Sequence, residues 1–303
     1  MILSCDIEAP CDFDLASALY YLSKAPGIVF ENVSLDLYRK AFYPKDSDTP
    51  ALLSVYEAPN QAGVRVELCG ESVSEGDLAR VRERVKECFY VFPAPPGLLD
   101  LFDRDKTLGS LHDRYGLIRP FLYFDPFEAL LWAIAAQQVN VGFAKTLLLR
   151  LHDVSGAKRL ESDGISYLVS PSPKEVASLS LEKLRACKFS GTKARALIEI
   201  SRVIVDKGID FFAYRTLDYD TVMASLIKYY GVGRWTAEYV LLRGLGFNDV
   251  FPSGDLGLKK AVASLYGLSG DLAEETIRAM SYDWSPYRGW ISQLLFYHLN
   301  ATL

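Results

Sequence analysis

The chain has 303 residues, a length that predicts about two domains, and half of them are hydrophobic, enough for substantial cores. The net charge of −5 argues against an extended nonspecific grip on nucleic acid. It leaves room for a small site built from backbone amides, a bound cation and a few lysines. No apolar run approaches the roughly 18–20 residues of a membrane helix, the N-terminus shows no export signal, and five cysteines without a CxxC spacing support neither zinc nor an iron–sulfur cluster.

Residues 1–92 read as a mixed α/β unit. Asp14 to Ser23 is an expected helix with Leu15, Leu19 and Leu22 on one face. Val29–Tyr38, Ala51–Tyr56 and Val64–Leu68 alternate in the strand manner. Asp77 to Phe89 returns to helical spacing, and Pro93-Ala-Pro-Pro-Gly97 marks a boundary. Beyond it, residues 93–303 read as helical. Leu98–Leu111 and Asp125–Ala136 are expected helices, and Asn140 is placed to cap Val141–His152. Ser180 and Thr192 are placed to cap two more, with Ser155–Pro173 a polar connection. His112, His152 and His298 have no ligand or triad spacing.

The most informative segment is a hairpin over 222–242. Gly231-Val232-Gly233 forms a tight turn between two apolar helical runs. Such a turn leaves backbone amides exposed at the start of the second helix, where a phosphate fits. Asp255 follows in a Pro-Ser-Gly-Asp turn that opens another helix. The bland reading of Asp255 is an N-cap. A phosphate site with a loop carboxylate at this distance suggests an enzyme acting on a nucleic-acid backbone. The hairpin alone would serve a non-catalytic, structure-specific DNA-binding module.

Gly231, Val232, Gly233, Thr236 and Ala237, with Pro252 through Asp255 and the helix carrying Lys259, resemble the helix-hairpin-helix, Gly/Pro-Asp superfamily of base-excision glycosylases. The N-terminal sheet unit, the segment FEALLWAIAAQQVNV and the late Trp284-Ser-Pro-Tyr-Arg288 motif are similar to the AlkA-type alkylpurine DNA glycosylases. The resemblance implies an α+β architecture: an N-terminal antiparallel sheet domain (1–92) before an all-α glycosylase core (93–303).

It also implies roles. Asp255 is the expected catalytic carboxylate, stabilising an oxocarbenium-like transition state while water attacks. Helix-start amides are expected to favour its ionised form. Trp235, Tyr239, Tyr287 and Trp284 are the expected base pocket, whose aromatic faces suit a cationic alkylpurine. Trp235 stands where strand-nicking relatives carry a Schiff-base lysine, so no lyase step is expected. Gln138, or its neighbour Gln137, takes the wedge position that fills the gap left by a flipped base. Gly231, Gly233, Arg234, Thr236, Lys228 and Lys259 are the expected DNA contacts, although each charged one taken singly reads more readily as a solvated surface residue. The carbonyls of Ile227, Tyr229 and Val232 match the family's alkali-cation ligands. The expected partner is damaged double-stranded DNA, met by a monomer in the nucleoid or nucleus. No cofactor is expected to be required; the resemblance allows a structural sodium or potassium ion at the hairpin when DNA is bound. The rival readings are the same fold acting on deaminated or oxidised purines, or the non-catalytic module.

Overall fold

In the computed structural model, residues 1–25, 27–45, 47–59, 62–270 and 272–302 are described. The N-terminal part is a five-stranded antiparallel sheet: β1 (Ile2–Glu8), β2 (Glu31–Val33), β3 (Leu37–Phe42), β4 (Ala51–Glu57) and β5 (Gly63–Cys69), in the order β1-β5-β4-β3-β2. Helix α1 (Leu15–Lys24) connects β1 to β2, and α2 (Glu75–Cys88) follows β5 and leads to the helical part. On β5, Val64, Val66 and Leu68 are buried while their neighbours are not, and β4 pairs with it from Leu52↔Cys69 to Glu57↔Val64. Each such side chain removed from water contributes about 1.5–3 kcal/mol before the entropy of ordering is subtracted.

One strand expectation is corrected. The run over 29–38 is not one strand. The Ser34 hydroxyl donates to Asp36 at 2.6 Å and to the Leu37 carbonyl at 3.3 Å, a side-chain-closed turn that separates β2 from β3. Beyond the expected strands, β1 pairs with β5 along its whole length.

The helices that follow are α3 (Leu98–Arg104), α4 (Lys106–Tyr115), α5 (Pro126–Ala136), α6 (Val141–Ser155), then a hairpin of β6 (Arg159–Ser162) and β7 (Ile165–Leu168), and α7 (Pro173–Ala177), α8 (Leu181–Ala186) and α9 (Gly191–Lys207). After them come α10 (Tyr219–Leu226), α11 (Arg234–Val240), α12 (Leu256–Leu265), α13 (Glu274–Ser281) and α14 (Arg288–Ala301). Asp105 splits the helix expected over 98–111, because its carboxylate accepts from Thr107 and Leu108 and starts α4. Ser190, not Thr192, caps α9. The polar connection at 155–173 contains the β6–β7 hairpin.

One apolar core runs through both parts, joining Leu53, Val66 and Val85 beside the sheet to Leu131, Ala194, Ala237 and Leu241 in the helices. A second packs α3 and α4 against α12, α13 and α14. Between sheet and helices lies a buried ionic cluster. The Lys40 ammonium sits 2.8 Å from Glu128 on α5 and 3.2 Å from Glu31 on β2, with all three side chains at most 4% exposed. Burial pushes the Glu128 carboxyl up to about 8 against the pull of Lys40. Removing Lys40 alone would leave two buried carboxylates without a counter-ion, a loss that typically costs several kcal/mol.

Candidate active site

The site is assembled where α5, α9, α10, α11 and α12 meet. Gly231 has φ of 76°, and a Cβ there would lie 2.7 Å from the Cβ of Ala196 on α9. Both the backbone angle and the close approach demand glycine. The guanidinium of Arg195 lies over the Tyr230 ring at 4.1 Å, a second hold of the turn on α9. Gly233 differs in kind. Its φ is −88°, a Cβ would meet nothing, and no side chain caps α11. No side chain thus occupies the first-turn amides of α11.

The hairpin is tied to the end of α5. Gln137 donates its side-chain amide to the Gly231 carbonyl at 2.9 Å and to the Thr236 hydroxyl at 3.0 Å. The Lys193 ammonium donates to the Ala135 carbonyl at 2.8 Å, although burial lowers its pKa. Gln138 is exposed, with φ of 52° at the tip of the turn. Gln137 is thus a brace, and Gln138 alone projects outward. Thr236 is 2% exposed with its hydroxyl spent on Gln137, so its side chain is withdrawn from the surface where a DNA contact was expected.

Asp255 caps α12, accepting from Gly257 at 2.9 Å and Leu258 at 3.0 Å, and it also accepts from the Trp235 indole N–H at 3.1 Å. Burial pushes its carboxyl above the ordinary value, and the Leu258, Trp235 and Gly257 donors pull it down without fully offsetting the burial. The helix-start amides do favour the ionised form, and loss of water on burial outweighs them. Trp235 is half-buried, and Tyr239, one turn on, is 7% exposed with its ring 5.7 Å away at 43°.

Of the four expected pocket aromatics, the structure brings these two to Asp255. Trp284 is 2% exposed and packed edge-on against Phe251 at 5.1 Å inside the second core. A ring enclosed on all sides cannot face a bound base, so Trp284 is a core residue. Tyr287 belongs to that same cluster and donates its hydroxyl to the Pro96 carbonyl, tying α14 to the loop before α3. The Arg of that motif, Arg288, pairs with Asp249 at 2.7 Å.

Glu238, which the sequence did not single out, organises the surroundings. It is 1% exposed and accepts from Arg278 at 2.7 Å, Arg234 at 3.0 Å and Tyr219 at 3.2 Å. Arg278 also donates to Glu274 at 2.6 Å, and that carboxylate sits 2.9 Å from where a Cβ on Gly254 would stand. The Arg234–Glu238 spacing was a readable helix pair; the other partners come from other helices. Arg234 thus commits one nitrogen to Glu238. Among the described residues, Lys228 and Lys259 form no ion pair, which leaves them available to a phosphate.

The carbonyls of Ile227, Tyr229 and Val232 line the hairpin turn. Tyr229 already accepts from the Val232 amide at 3.1 Å, which leaves its second lone pair. Among the described residues, no helix is long and apolar enough to cross a membrane.

With this geometry in place, comparison with known proteins is direct. The chain is 29% identical over 248 residues to YfjP of Bacillus subtilis (strain 168), an alignment covering 78% of this chain and 84% of that one. It is 28% identical over 204 residues to DNA-3-methyladenine glycosylase 2 of Escherichia coli (strain K12), covering 66% of this chain and 68% of the relative. Its fold matches that of the 3-methyladenine DNA-glycosylase from Archaeoglobus fulgidus with a TM-score of 0.80 at 24% identity, over 98% of both chains. The family model described as HhH-GPD superfamily base excision DNA repair protein matches residues 131–286, just over half of the chain, and includes Gln137, the hairpin and Asp255. The chain belongs to the HhH-GPD superfamily of base excision DNA repair proteins.

Proposed function

We propose that this chain is a monofunctional DNA glycosylase that flips alkylated purines out of duplex DNA and hydrolyses their N-glycosidic bond. The observation that carries the reading is the Asp255 carboxylate, set on the N-terminus of α12, held by Trp235 and adjoining an aromatic wall. The sugar develops positive charge as the base leaves, and a preorganised anion beside it lowers that barrier. The bases best suited are cationic alkylpurines, which leave without protonation and stack on an aromatic face with a cation–π contribution.

DNA would be gripped at the bare N-terminus of α11, with Lys228, Lys259 and the free part of Arg234 on phosphates. Gln138 would enter the duplex where the base has left, and its amide offers hydrogen bonds to the orphaned partner. The three hairpin carbonyls are hard oxygen donors of the type that suits an alkali cation. Such an ion would neutralise a phosphate and supply no chemistry. Trp235 offers no amine, so the product is an intact abasic strand. We further propose that the protein acts as a monomer.

The test is to incubate the protein with methylated duplex DNA, separate the released bases by chromatography, and treat a parallel reaction with sodium borohydride. Released alkylpurines and no trapped covalent adduct are expected. No release would end the glycosylase reading; a trapped adduct would end the monofunctional one.

A further inference from the structure

Arg195, early in α9, has two fixed holds and a free end. Its Nε donates to Glu199, one turn on, at 2.7 Å, and its guanidinium lies over the Tyr230 ring at 4.1 Å from the centroid. Among the described residues, its two terminal nitrogens donate to no acceptor. The Arg195 side chain is 55% exposed, and Tyr230 and Glu199 are each 42% exposed. An ion pair and a cation–π contact in water stabilise a fold little. What they fix is direction. A long side chain already held at two points loses less freedom when it binds, and the open guanidinium nitrogens match a phosphate.

The location gives those nitrogens a use. Tyr230 immediately precedes Gly231, and Ala196, the residue after Arg195, is what a Cβ on Gly231 would meet at 2.7 Å. The free end of Arg195 therefore stands on the flank of the turn that leads to the bare start of α11. We propose that Arg195, held by the Tyr230 ring, is a second DNA-backbone contact that takes a phosphate near the one at the α11 amides. The inference rests on the DNA grip proposed above and extends it to a residue outside the hairpin; it is independent of which base is released. Phosphates repeat along each strand at about 3.4 Å of duplex axis, so a duplex seated on α11 carries further phosphates past the turn.

The experiment measures the dissociation constant of an undamaged duplex over a salt series. In Arg195→Ala, binding should weaken by about three- to tenfold, and the slope of log K against log salt should fall by about 0.9, the value of one phosphate contact. Arg195→Lys and Tyr230→Leu keep the cation and lose its holds. Their slopes should match the wild type while binding weakens by about two- to threefold. Arg82→Ala is the charge control, since it removes an exposed arginine paired with Glu83 on α2, and it should change neither quantity. Melting curves confirm that each variant is folded. A slope unchanged in Arg195→Ala, or lowered equally in Arg82→Ala, overturns the proposal. So does Tyr230→Leu that binds like the wild type. A Tyr230→Leu slope that falls as in Arg195→Ala also overturns it, because the pair would then be only a strut of the turn. A wild type that binds no duplex overturns it together with the DNA grip on which it rests.

Discussion

Helices α11 and α12 start within one site and start in opposite ways. At α11 the cap residue is Gly233, and no side chain reaches the first-turn amides. At α12 the cap is Asp255, whose carboxylate occupies two of them. Elsewhere Asp14, Ser74, Asp125, Asn140, Ser190 and Asp218 all supply a side-chain cap. Most starts in this chain are capped, α3, α13 and α14 being exceptions like α11, and a glycine cap in place of Ser or Asp forgoes roughly a few tenths of a kcal/mol. On the proposed reading, one helix keeps its amides for an external anion, and the other uses them to hold a carboxylate where a cation would develop.

Replacing the α12 cap chemically but not structurally should have the largest effect. Asparagine also caps helices, so Asp255→Asn should melt within a few degrees of the wild type. It removes the anion, and base release should fall at least about 10²–10⁴-fold, the range for a positioned acid–base group. Single-turnover release at saturating protein measures this directly. Near-normal release would return Asp255 to the status of a plain cap.

The reverse exchange is to give α11 the cap that α12 has. In Gly233→Asp the new side chain points into open space, so the fold should be as stable as before or a few tenths of a kcal/mol better. Binding to damaged and undamaged duplex should fall together, by about tenfold or more, because an anion now stands where the phosphate would. Titrations on both duplexes with a melting curve separate the two effects. Gly231→Ala is the contrast. Its positive φ and the Ala196 contact predict a loss of stability of about 1–3 kcal/mol. If the two glycine variants behaved alike, the distinction between a turn glycine and an open helix start would be wrong.

Much of this site was readable because its signals are local. The two glycines, the Pro-Ser-Gly-Asp turn, the Asn140 cap and the strands at 51–57 and 63–69 depend on neighbours in sequence. What was missed depends on distance. Tyr123 meets Tyr239 across 116 residues, and Gln137 reaches Gly231 across 94. Trp284 sits in a motif that resembles a pocket motif, yet Phe251 and Tyr266 enclose it, and only tertiary packing decides which face a ring presents. The net shift of Asp255 depends on packing in the same way. Donors can be inferred from a helix start, but the amount of water lost cannot.

The smallest expected effect concerns the bond that joins the two helix starts. Trp235 stands in the first turn of α11 and donates to the Asp255 carboxylate on α12. Trp235→Phe keeps an aromatic face for stacking and removes the N–H. That hydrogen bond favours the ionised carboxylate, and burial already disfavours it. Without the donor the carboxyl should rise further. Hydrolysis needs the ionised form, so activity is lost as pH falls through this pKa, and the acid limb of kcat/KM should move to higher pH in the variant. A hydrogen bond to a charged group is worth about 1.5–3 kcal/mol, and one pH unit corresponds to about 1.4 kcal/mol, so a shift of about one to two units is expected. Well above the limb the variant should lose less, because there the carboxylate is ionised in both proteins. An acid limb that stays in place, with a uniform fall at every pH, would mean that Trp235 acts on the base alone and that the two helix starts work independently.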